Sequence, residues 1–139
     1  TIPVYHLDKY FYTANWVERD YKEFLAIQQA LVLEESWIID GNCTRSLAMR
    51  YARANLAIYL NYPRYICYGR ILKRLFTKNK AIDDRAPGCQ ETINFKLLRY
   101  MWTFRRRVTP SISHLQQQYP ATNFAEVRSE KELYLLLVL

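Results

Sequence analysis

Three acidic or amide side chains each lie at the end of a short apolar run in this chain of 139 residues. Asp8 and Asp40 follow the first two runs, and Asn61 follows the third. Because ligands of open parallel sheets bind beyond the carboxyl ends of the strands, we expect these three side chains to face one crevice. Asp and Asn are also common turn residues, so each one taken alone has an ordinary structural explanation.

Two pairs of arginines lie in positions suited to binding an anion. Arg45 and Arg50 come just after the Asp40 turn, and Arg70 and Arg74 are spaced to share one face of a helix. Phosphoryl transfer depends on positioning and on cationic groups around the phosphate oxygens, and the planar guanidinium matches those oxygens well. For any single arginine, surface solubility or an ion pair with a nearby glutamate explains the residue equally well.

The cysteines and histidines give little support for a metal site. Cys43, Cys67 and Cys89 form no CxxC pair, and His6 and His114 lie far from each other and are not spaced with a cysteine as ligands usually are. Reduced thiols in a cytoplasmic protein are therefore the favoured interpretation of the three cysteines.

The net charge of +7 comes entirely from the middle third of the sequence. From Arg64 to Arg107 there are 12 basic and 3 acidic residues, a balance of +9, whereas the rest has 8 basic and 10 acidic residues, or −2. Such a concentration favours an anionic ligand, either nucleotide phosphates or a nucleic-acid backbone, with a solvated basic face as the alternative. No apolar run approaches the roughly 20 residues that cross a bilayer.

The elements that would position these side chains alternate between strands and helices. Residues 2–7, 37–42, 56–60 and 124–127 are predicted strands, and the second and third have the continuous apolar pattern of parallel strands buried on both faces. Residues 10–16 are predicted to form a covering loop and residues 77–90 a flap. The order predicts one α/β domain spanning residues 1–139.

Helical periodicity marks five segments. A long helix is expected from Ile93 to Leu115, with a kink or a break and restart at Pro110 that Thr109 would cap. Ser129 is predicted to cap the last helix. The five predicted helices cover residues 18–33, 44–51, 64–76, 93–115 and 130–139.

Several long strings, taken in order, resemble one protein family. They are PVYHLDKYFYTANW, WIIDGNCTRSL, LAIYLNYPRYICYGRILKR, GCQETINFKLLRYMWTFRRRVTP and VRSEKEL. Together they resemble the bacterial DNA topology modulation proteins (FlaR-like), which are P-loop proteins related to adenylate kinase. The resemblance covers almost the whole chain and implies a three-layer α/β/α fold, binding of ATP and Mg²⁺, a phosphate acceptor and a cytoplasmic location.

The resemblance also implies roles for individual residues. Asp8 and Trp16 would belong to the acceptor side, Arg45 would contact the acceptor phosphate, and Asp40 would hold Mg²⁺ through water. Arg70 and Arg74 would lie over the transferring phosphate at the base of the flap. Two positions depart from the family pattern: Asn61 replaces an aspartate, and the flap lacks its usual arginine, for which Arg85 is a substitute at a changed offset.

The family's glycine-rich GxxxxGK[ST] loop does not occur in these 139 residues, whose glycines are Gly41, Gly69 and Gly88. In this family that loop follows the central strand, which would lie between the strands that end at Asp40 and Asn61. Two unpaired apolar strand edges are avoided in natural proteins, so we expect about 30 further residues before Thr1, the size of one strand, loop and helix. A second chain supplying the strand, in an intertwined dimer, is the alternative.

Three functions follow from the sequence. The first is a nucleotide-binding, kinase-like protein that does not bind ATP and Mg²⁺ tightly or transfer phosphate without the missing loop. The second is a DNA-binding protein that uses the basic segment from Arg64 to Arg107. The third is a truncated, non-catalytic paralogue with only an interaction role.

Overall fold

The computed structural model of the chain describes residues 1–77, 85–89 and 93–138. They form two compact units, unit 1 with residues 1–53 and 85–89, and unit 2 with residues 54–77 and 93–138. Both units combine helices with a two-stranded parallel sheet. The predicted mixed α/β class with parallel strands is therefore confirmed.

Unit 1 is built around the parallel pair of its first and last strands. Its elements are β1 (Val4–His6), α1 (Leu7–Phe11), β2 (Tyr12–Thr13), β3 (Val17–Glu18), α2 (Tyr21–Leu31), β4 (Ile38–Asp40) and α3 (Leu47–Tyr51). The register pairs Val4 with Ile38 and His6 with Asp40. The first strand was predicted to continue to Leu7, and this is wrong: Leu7 begins α1 and is fully buried, so that Asp8 lies in the first turn of that helix.

Helix α2 begins at Tyr21, three residues after the predicted start at residue 18. The Asp20 carboxylate accepts hydrogen bonds from the amides of Lys22 and Glu23, which satisfies two of the donors left free at a helix start. Its inward side buries Phe24, Gln28 and Leu31. The helix occupies residues within the predicted span of 18–33, and the core of unit 1 forms on its buried face.

The segment predicted as a covering loop is ordered as a short helix and a hairpin. Strands β2 and β3 pair antiparallel around a three-residue turn, in which Asn15 and Trp16 have φ angles of 60° and 59°. These left-handed angles are unusual for a tryptophan. Cys89 supports the turn, because its Sγ accepts a hydrogen bond from the Trp16 amide at 3.4 Å and donates one to the Thr13 carbonyl at 3.2 Å.

Unit 2 places two helices between its parallel strands in the sequence. Its elements are β5 (Leu56–Leu60), α4 (Arg64–Phe76), α5 (Phe95–Gln118), β6 (Asn123–Val127) and α6 (Glu130–Val138). The register pairs Tyr59 with Glu126 and Leu60 with Val127. Ser129 caps α6 as predicted, since its Oγ accepts a hydrogen bond from the Glu132 amide.

The strands are less covered than their apolar sequences predict. Leu56, Ile58 and Leu60 of β5 are 47%, 44% and 54% exposed, and Ile38 of β4 is 50% exposed, so the prediction that both strands are buried on both faces is wrong. Within the described residues, β4 pairs only with β1 and β5 pairs only with β6. Because side chains alternate across a strand, the three exposed residues lie on one face of β5.

Helix α5 continues through Pro110, so of the two predicted alternatives the break and restart is wrong and the kink stays a prediction. Thr109 does not cap a new helix; its hydroxyl donates to the Arg105 carbonyl, one turn back in the same helix. Val108 and Ile112 are buried on either side of the proline, and this packing stabilises one continuous helix although Pro110 provides no amide donor.

Two further expectations concern residues beyond the sheets and helices. Of the predicted flap at residues 77–90, the structure describes only Thr77 and residues 85–89, so the flap as a whole lies outside the described residues. No helix in the described ranges has both the length and the apolar character needed to cross a membrane.

Candidate functional site

At the carboxyl end of the unit 1 sheet, a histidine and an aspartate lie side by side. His6 ends β1 and Asp40 ends β4, and the parallel register brings the His6 Nδ1 within 3.1 Å of the Asp40 Oδ2. The Asp40 side chain is 69% exposed. Its carboxylate is therefore accessible to solvent and to ligands, as expected from the sequence, while the histidine orients it.

The turn after Asp40 is held by a buried arginine. Arg50 is only 6% exposed, and its guanidinium donates to the Gly41 carbonyl at 3.0 Å and to the Cys43 carbonyl at 2.9 Å. Burial lowers the pKa of this guanidinium, and the nearby Cys43 and Asp40 act in the opposite direction. Because Arg50 is buried and both of its terminal nitrogens donate to backbone oxygens of the turn, its role is to position the turn and not to bind a substrate.

Gly41 makes this turn possible. Its φ of +145° is a conformation that other residues rarely adopt, and a Cβ built there would lie 2.8 Å from the Cβ of Leu7. Since Leu7 is fully buried, it has no space into which to move. The Asp40 carboxylate is thus presented by a turn that is fixed from both sides, by Arg50 and by Leu7.

A buried polar cluster lies beneath the same turn. The Ser46 hydroxyl donates to the Gln28 Oε1 at 2.9 Å, and both residues are buried along with Arg50. Gln28 Nε2 and Arg50 Nε have no hydrogen-bond partner among the described residues. The Ser46–Gln28 hydrogen bond thus ties the turn to helix α2.

The other predicted site residues of unit 1 lie in different settings. The Arg45 guanidinium lies over the Tyr21 ring, 4.0 Å from its centroid. Trp16 packs edge-on against Tyr12 in the hairpin, Asp8 is exposed in α1, and Arg85 is half-buried. The stacked Arg45 has no salt bridge in the described part of the chain, and it remains the predicted acceptor-phosphate contact.

Unit 2 ends its parallel strands in a second polar cluster. The Asn61 amide donates to the Glu126 Oε1 at 2.6 Å, and the Arg128 Nε donates to the same oxygen at 2.9 Å. The hydrogen bonds from Arg128 and Asn61 lower the pKa of the Glu126 carboxyl. Glu126 thus remains ionised at neutral pH and holds an amide and a guanidinium at the end of the sheet.

The two flap-base arginines lie on α4, as their spacing predicts. Arg70 forms an ion pair with Glu130, and its guanidinium lies over the Tyr62 ring at 4.3 Å. Arg74 is half-buried. Arg70 is therefore held by a carboxylate and an aromatic ring, and a phosphate would have to compete with Glu130 for its donors.

Several arginines of the basic segment contact aromatic rings or the backbone. Arg64 lies over the Trp102 ring at 4.3 Å and Arg107 over the Tyr100 ring at 4.7 Å, while Arg105 donates to the Tyr62 carbonyl at 3.2 Å. Part of the positive charge that marks this segment in the sequence is thus used in contacts within unit 2 itself.

Sequence reasoning missed three residues of the two clusters: His6, Glu126 and Arg128. Glu126 lies near the end of the last strand and Arg128 directly follows it. Charged residues at the end of the last predicted strand, like Asn61 at the end of the strand before it, were the signal that could have found them. His6 was hidden because the first strand was predicted to end at Leu7.

Among the described residues, no three or more His, Cys, Asp or Glu side chains lie together in a way that could hold a metal ion. Comparisons with protein-family models, curated proteins and solved structures found no match to this chain. The interpretation of the two clusters therefore depends on their geometry and on the resemblance of the sequence strings.

Proposed function

We propose that this chain is a nucleotide-binding protein similar to the P-loop kinases, with an adenylate-kinase-like fold and a cytoplasmic location. The observation that carries the proposal is the polar cluster at the carboxyl end of each parallel strand pair, His6 with Asp40 in unit 1 and Asn61 with Glu126 in unit 2. In open α/β sheets this end of the strands is where ligands bind.

Asp40 suits the magnesium role that the resemblance implies. Mg²⁺ keeps most of its waters and binds proteins through one or two carboxylates together with the phosphates of the substrate. Asp40 supplies one largely exposed carboxylate, oriented by His6 and carried on the fixed turn at Gly41. When bound with a nucleotide, Mg²⁺ would neutralise phosphate charge, and the task of Asp40 would be to orient its water shell.

Arginines would supply phosphate contacts within each unit. Arg45 in unit 1, and Arg70 and Arg74 in unit 2, keep the roles proposed from the resemblance, and the exposure of Arg45 and Arg70 supports this for two of them. Arg50 is different because it is buried and its two terminal nitrogens donate to the backbone of the Asp40 turn. We therefore assign Arg50 to holding that turn instead of to substrate binding.

The lack of a glycine-rich phosphate loop within these residues sets the expected affinity. Backbone amides and the lysine of such a loop provide most of the contacts to the β- and γ-phosphates. We expect this chain alone to bind Mg²⁺–ATP weakly, with a Kd on the order of 1 mM, and to transfer no phosphate.

Isothermal titration of the chain with Mg²⁺–ATP tests the proposal. Asp40→Asn keeps the shape of the side chain and removes its charge, and we expect it to weaken binding about 10-fold. Glu35→Gln makes the same change of charge at an exposed position away from the strand ends and serves as the control. Absence of binding, or equal binding by both variants and the parent chain, would contradict the proposal.

A nucleic-acid-binding function is the second candidate, and one observation favours it. Lys96, Arg99 and Arg106 are exposed on α5 together with Trp102, which is 57% exposed. Exposed cations beside an aromatic ring match the chemistry of single-strand binding. Binding of a labelled oligonucleotide that weakens steeply with salt, and weakens further in Arg99→Ala and Arg106→Ala, would favour this function.

A further inference from the structure

Helix α4 exposes an apolar stripe along one side. Tyr65, Leu72 and Phe76 are 76%, 54% and 86% exposed, and the exposed Gly69 lies between the first two. Their spacing of four, three and four residues places all of them on one side of the helix. The apolar stripe of a surface helix normally faces the core, so this one is open to a partner outside the chain.

The first half of α5 exposes a second stripe, in which aromatic and basic residues alternate. Phe95 and Trp102 are 80% and 57% exposed, and the exposed Arg99 and Arg106 follow them at the same helical spacing. Single exposed apolar side chains are normal on a protein surface, whereas a group of large ones marks an interaction site. Both stripes belong to unit 2.

The two stripes lie on the same side of the helix pair. Arg64 stacks on Trp102 at 4.3 Å, and the Tyr68 hydroxyl donates to the Leu98 carbonyl at 3.2 Å, so α4 and α5 run antiparallel. In both helices the stripe residues follow the contact residues by one position, for example Tyr65 after Arg64, which is a rotation of about 100°. In an antiparallel pair, rotations of the same sense about both axes lead to the same side.

The charge of this face favours an anionic partner. The sequence of α4 has four basic residues and that of α5 has five, and neither has an aspartate or a glutamate. Lys73 and Lys96 are exposed beside the stripes, and Arg99 and Arg106 are exposed within the second one. The ion pair of Arg70 with Glu130 lies on a different side of α4, because Arg70 is five positions after the start of the stripe.

The apolar side chains distinguish between anionic partners. A nucleic acid stacks its bases on aromatic rings, but its backbone offers no hydrocarbon to an aliphatic side chain such as Leu72. An acidic helical peptide would bind in a groove, whereas Phe76 and Phe95 project from the surface. An anionic bilayer offers hydrocarbon beneath a layer of phosphate groups, and it accepts aromatic side chains at its interface.

We propose that the exposed face of α4 and α5 docks this protein on an anionic lipid bilayer. Both helices would lie along the surface, with Leu72 and Phe76 at the boundary between headgroups and acyl chains. Trp102 would lie at the level of the headgroups, and Lys73 and Arg99 would contact lipid phosphates. The surface goes beyond the proposed function, because none of these residues is assigned to nucleotide binding.

Sedimentation of the full chain with lipid vesicles tests the proposal. Vesicles of equal parts phosphatidylglycerol and phosphatidylcholine should bind the chain, vesicles of phosphatidylcholine alone should bind it at least about 10-fold less, and salt should weaken the binding. Leu72→Ser combined with Phe76→Ser removes apolar surface from the stripe at constant charge. We expect this double variant to weaken binding to the anionic vesicles about 10-fold or more.

The matched control is Leu135→Ser combined with Leu137→Ser. These leucines are 52% and 73% exposed on α6, whose first turn is acidic, so the pair removes similar apolar surface from a helix outside the proposed face. It should leave vesicle binding unchanged, as should Asp40→Asn, which tests the proposed function separately. All the changed side chains are exposed, so the variants should have the far-ultraviolet circular dichroism of the parent chain.

Three results would overturn the proposal. One is the absence of binding to the anionic vesicles, including the case in which the chain binds a labelled oligonucleotide instead. Another is vesicle binding that Leu72→Ser with Phe76→Ser leaves unchanged, because charge alone would then account for it. The third is an equal loss of binding in the Leu135→Ser with Leu137→Ser control, which would mean that any exposed apolar side chain adheres to the vesicles.

Discussion

The two parallel strand pairs end in polar clusters that use arginine in opposite ways. In unit 1, Arg50 is 6% exposed and binds two backbone carbonyls, while the Asp40 carboxylate is open to solvent. In unit 2, the Arg128 side chain is 66% exposed, while Glu126 is hydrogen-bonded by its neighbours. Burial thus distinguishes Arg50, which holds a loop, from Arg128, whose side chain is open to a ligand. Both residues come after a strand in the sequence.

The largest expected effect comes from removing the buried arginine. Arg50→Ala leaves the Gly41 and Cys43 carbonyls without their donor and opens a cavity in unit 1. We expect a loss of about 3–5 kcal/mol in the free energy of unfolding, measured by urea denaturation.

The matched variant is Arg45→Ala, which removes an arginine stacked on Tyr21 from the same stretch of chain. It should cost only about 0.5–1 kcal/mol. Arg50→Gln, which keeps an amide donor, should fall between the two. Equal losses of stability in Arg45→Ala and Arg50→Ala would contradict the distinction between the stacked Arg45 and the buried Arg50.

The next effect tests the turn that presents Asp40. Gly41→Ala forces an alanine to adopt a φ of +145° and brings its Cβ to 2.8 Å from that of the buried Leu7. We expect a loss of about 2–3 kcal/mol in a thermal or urea melt.

Gly69 is the control for this change because nothing lies within 4 Å of a Cβ built there, in the helix α4. Gly69→Ala should stabilise the chain by about 0.5–1 kcal/mol, since alanine favours a helix more than glycine does. Opposite signs for the two glycines are the expected result, and a neutral Gly41→Ala would show that the turn is not fixed as described.

The smallest effect concerns the pH dependence of the unit 2 cluster. The pKa of Glu126 is lowered by Arg128 and Asn61, so its contribution to stability is fully present above its unfolded pKa and is lost as the pH falls through the folded pKa. Glu126→Gln should therefore reduce the difference between the urea midpoints at neutral and acidic pH.

The matched change for this test is Glu35→Gln, which removes the same charge at an exposed position in unit 1. The two variants should differ by less than about 1 kcal/mol, as is usual for surface ion pairs. A pH dependence that is the same in both variants would mean that Glu126 has no stabilising partners in solution.

Local patterns predicted much of the fold. The apolar run at Leu56–Leu60 forms the predicted strand, and the segment Arg64–Phe76 forms the predicted helix. The hairpin around Asn15 and Trp16 was missed because its left-handed turn depends on the distant Cys89. Helix α5 overrides Pro110 because burial of its apolar side on both sides of the proline outweighs one lost backbone hydrogen bond.

The site was predicted less completely than the fold. The exposed Asp40 at a strand end follows from the sequence, because an acid that ends an apolar run has a fixed place in a parallel sheet. The burial of Arg50 does not follow, since it depends on where the turn at Gly41 brings its carbonyls. The exposure of the apolar stripe on α4 does not follow either, because the side of that helix that packs against the rest of unit 2 depends on tertiary contacts.

The most direct test of nucleotide binding is an amide-resolved NMR titration of the chain with Mg²⁺–ATP up to millimolar concentrations. We predict saturable shifts of the amides that follow Asp40 in unit 1, Gly41 and Asn42, and little change along the exposed basic side of α5. Absence of shifts, or shifts confined to Lys96, Arg99 and Arg106, would contradict a nucleotide site at the strand ends.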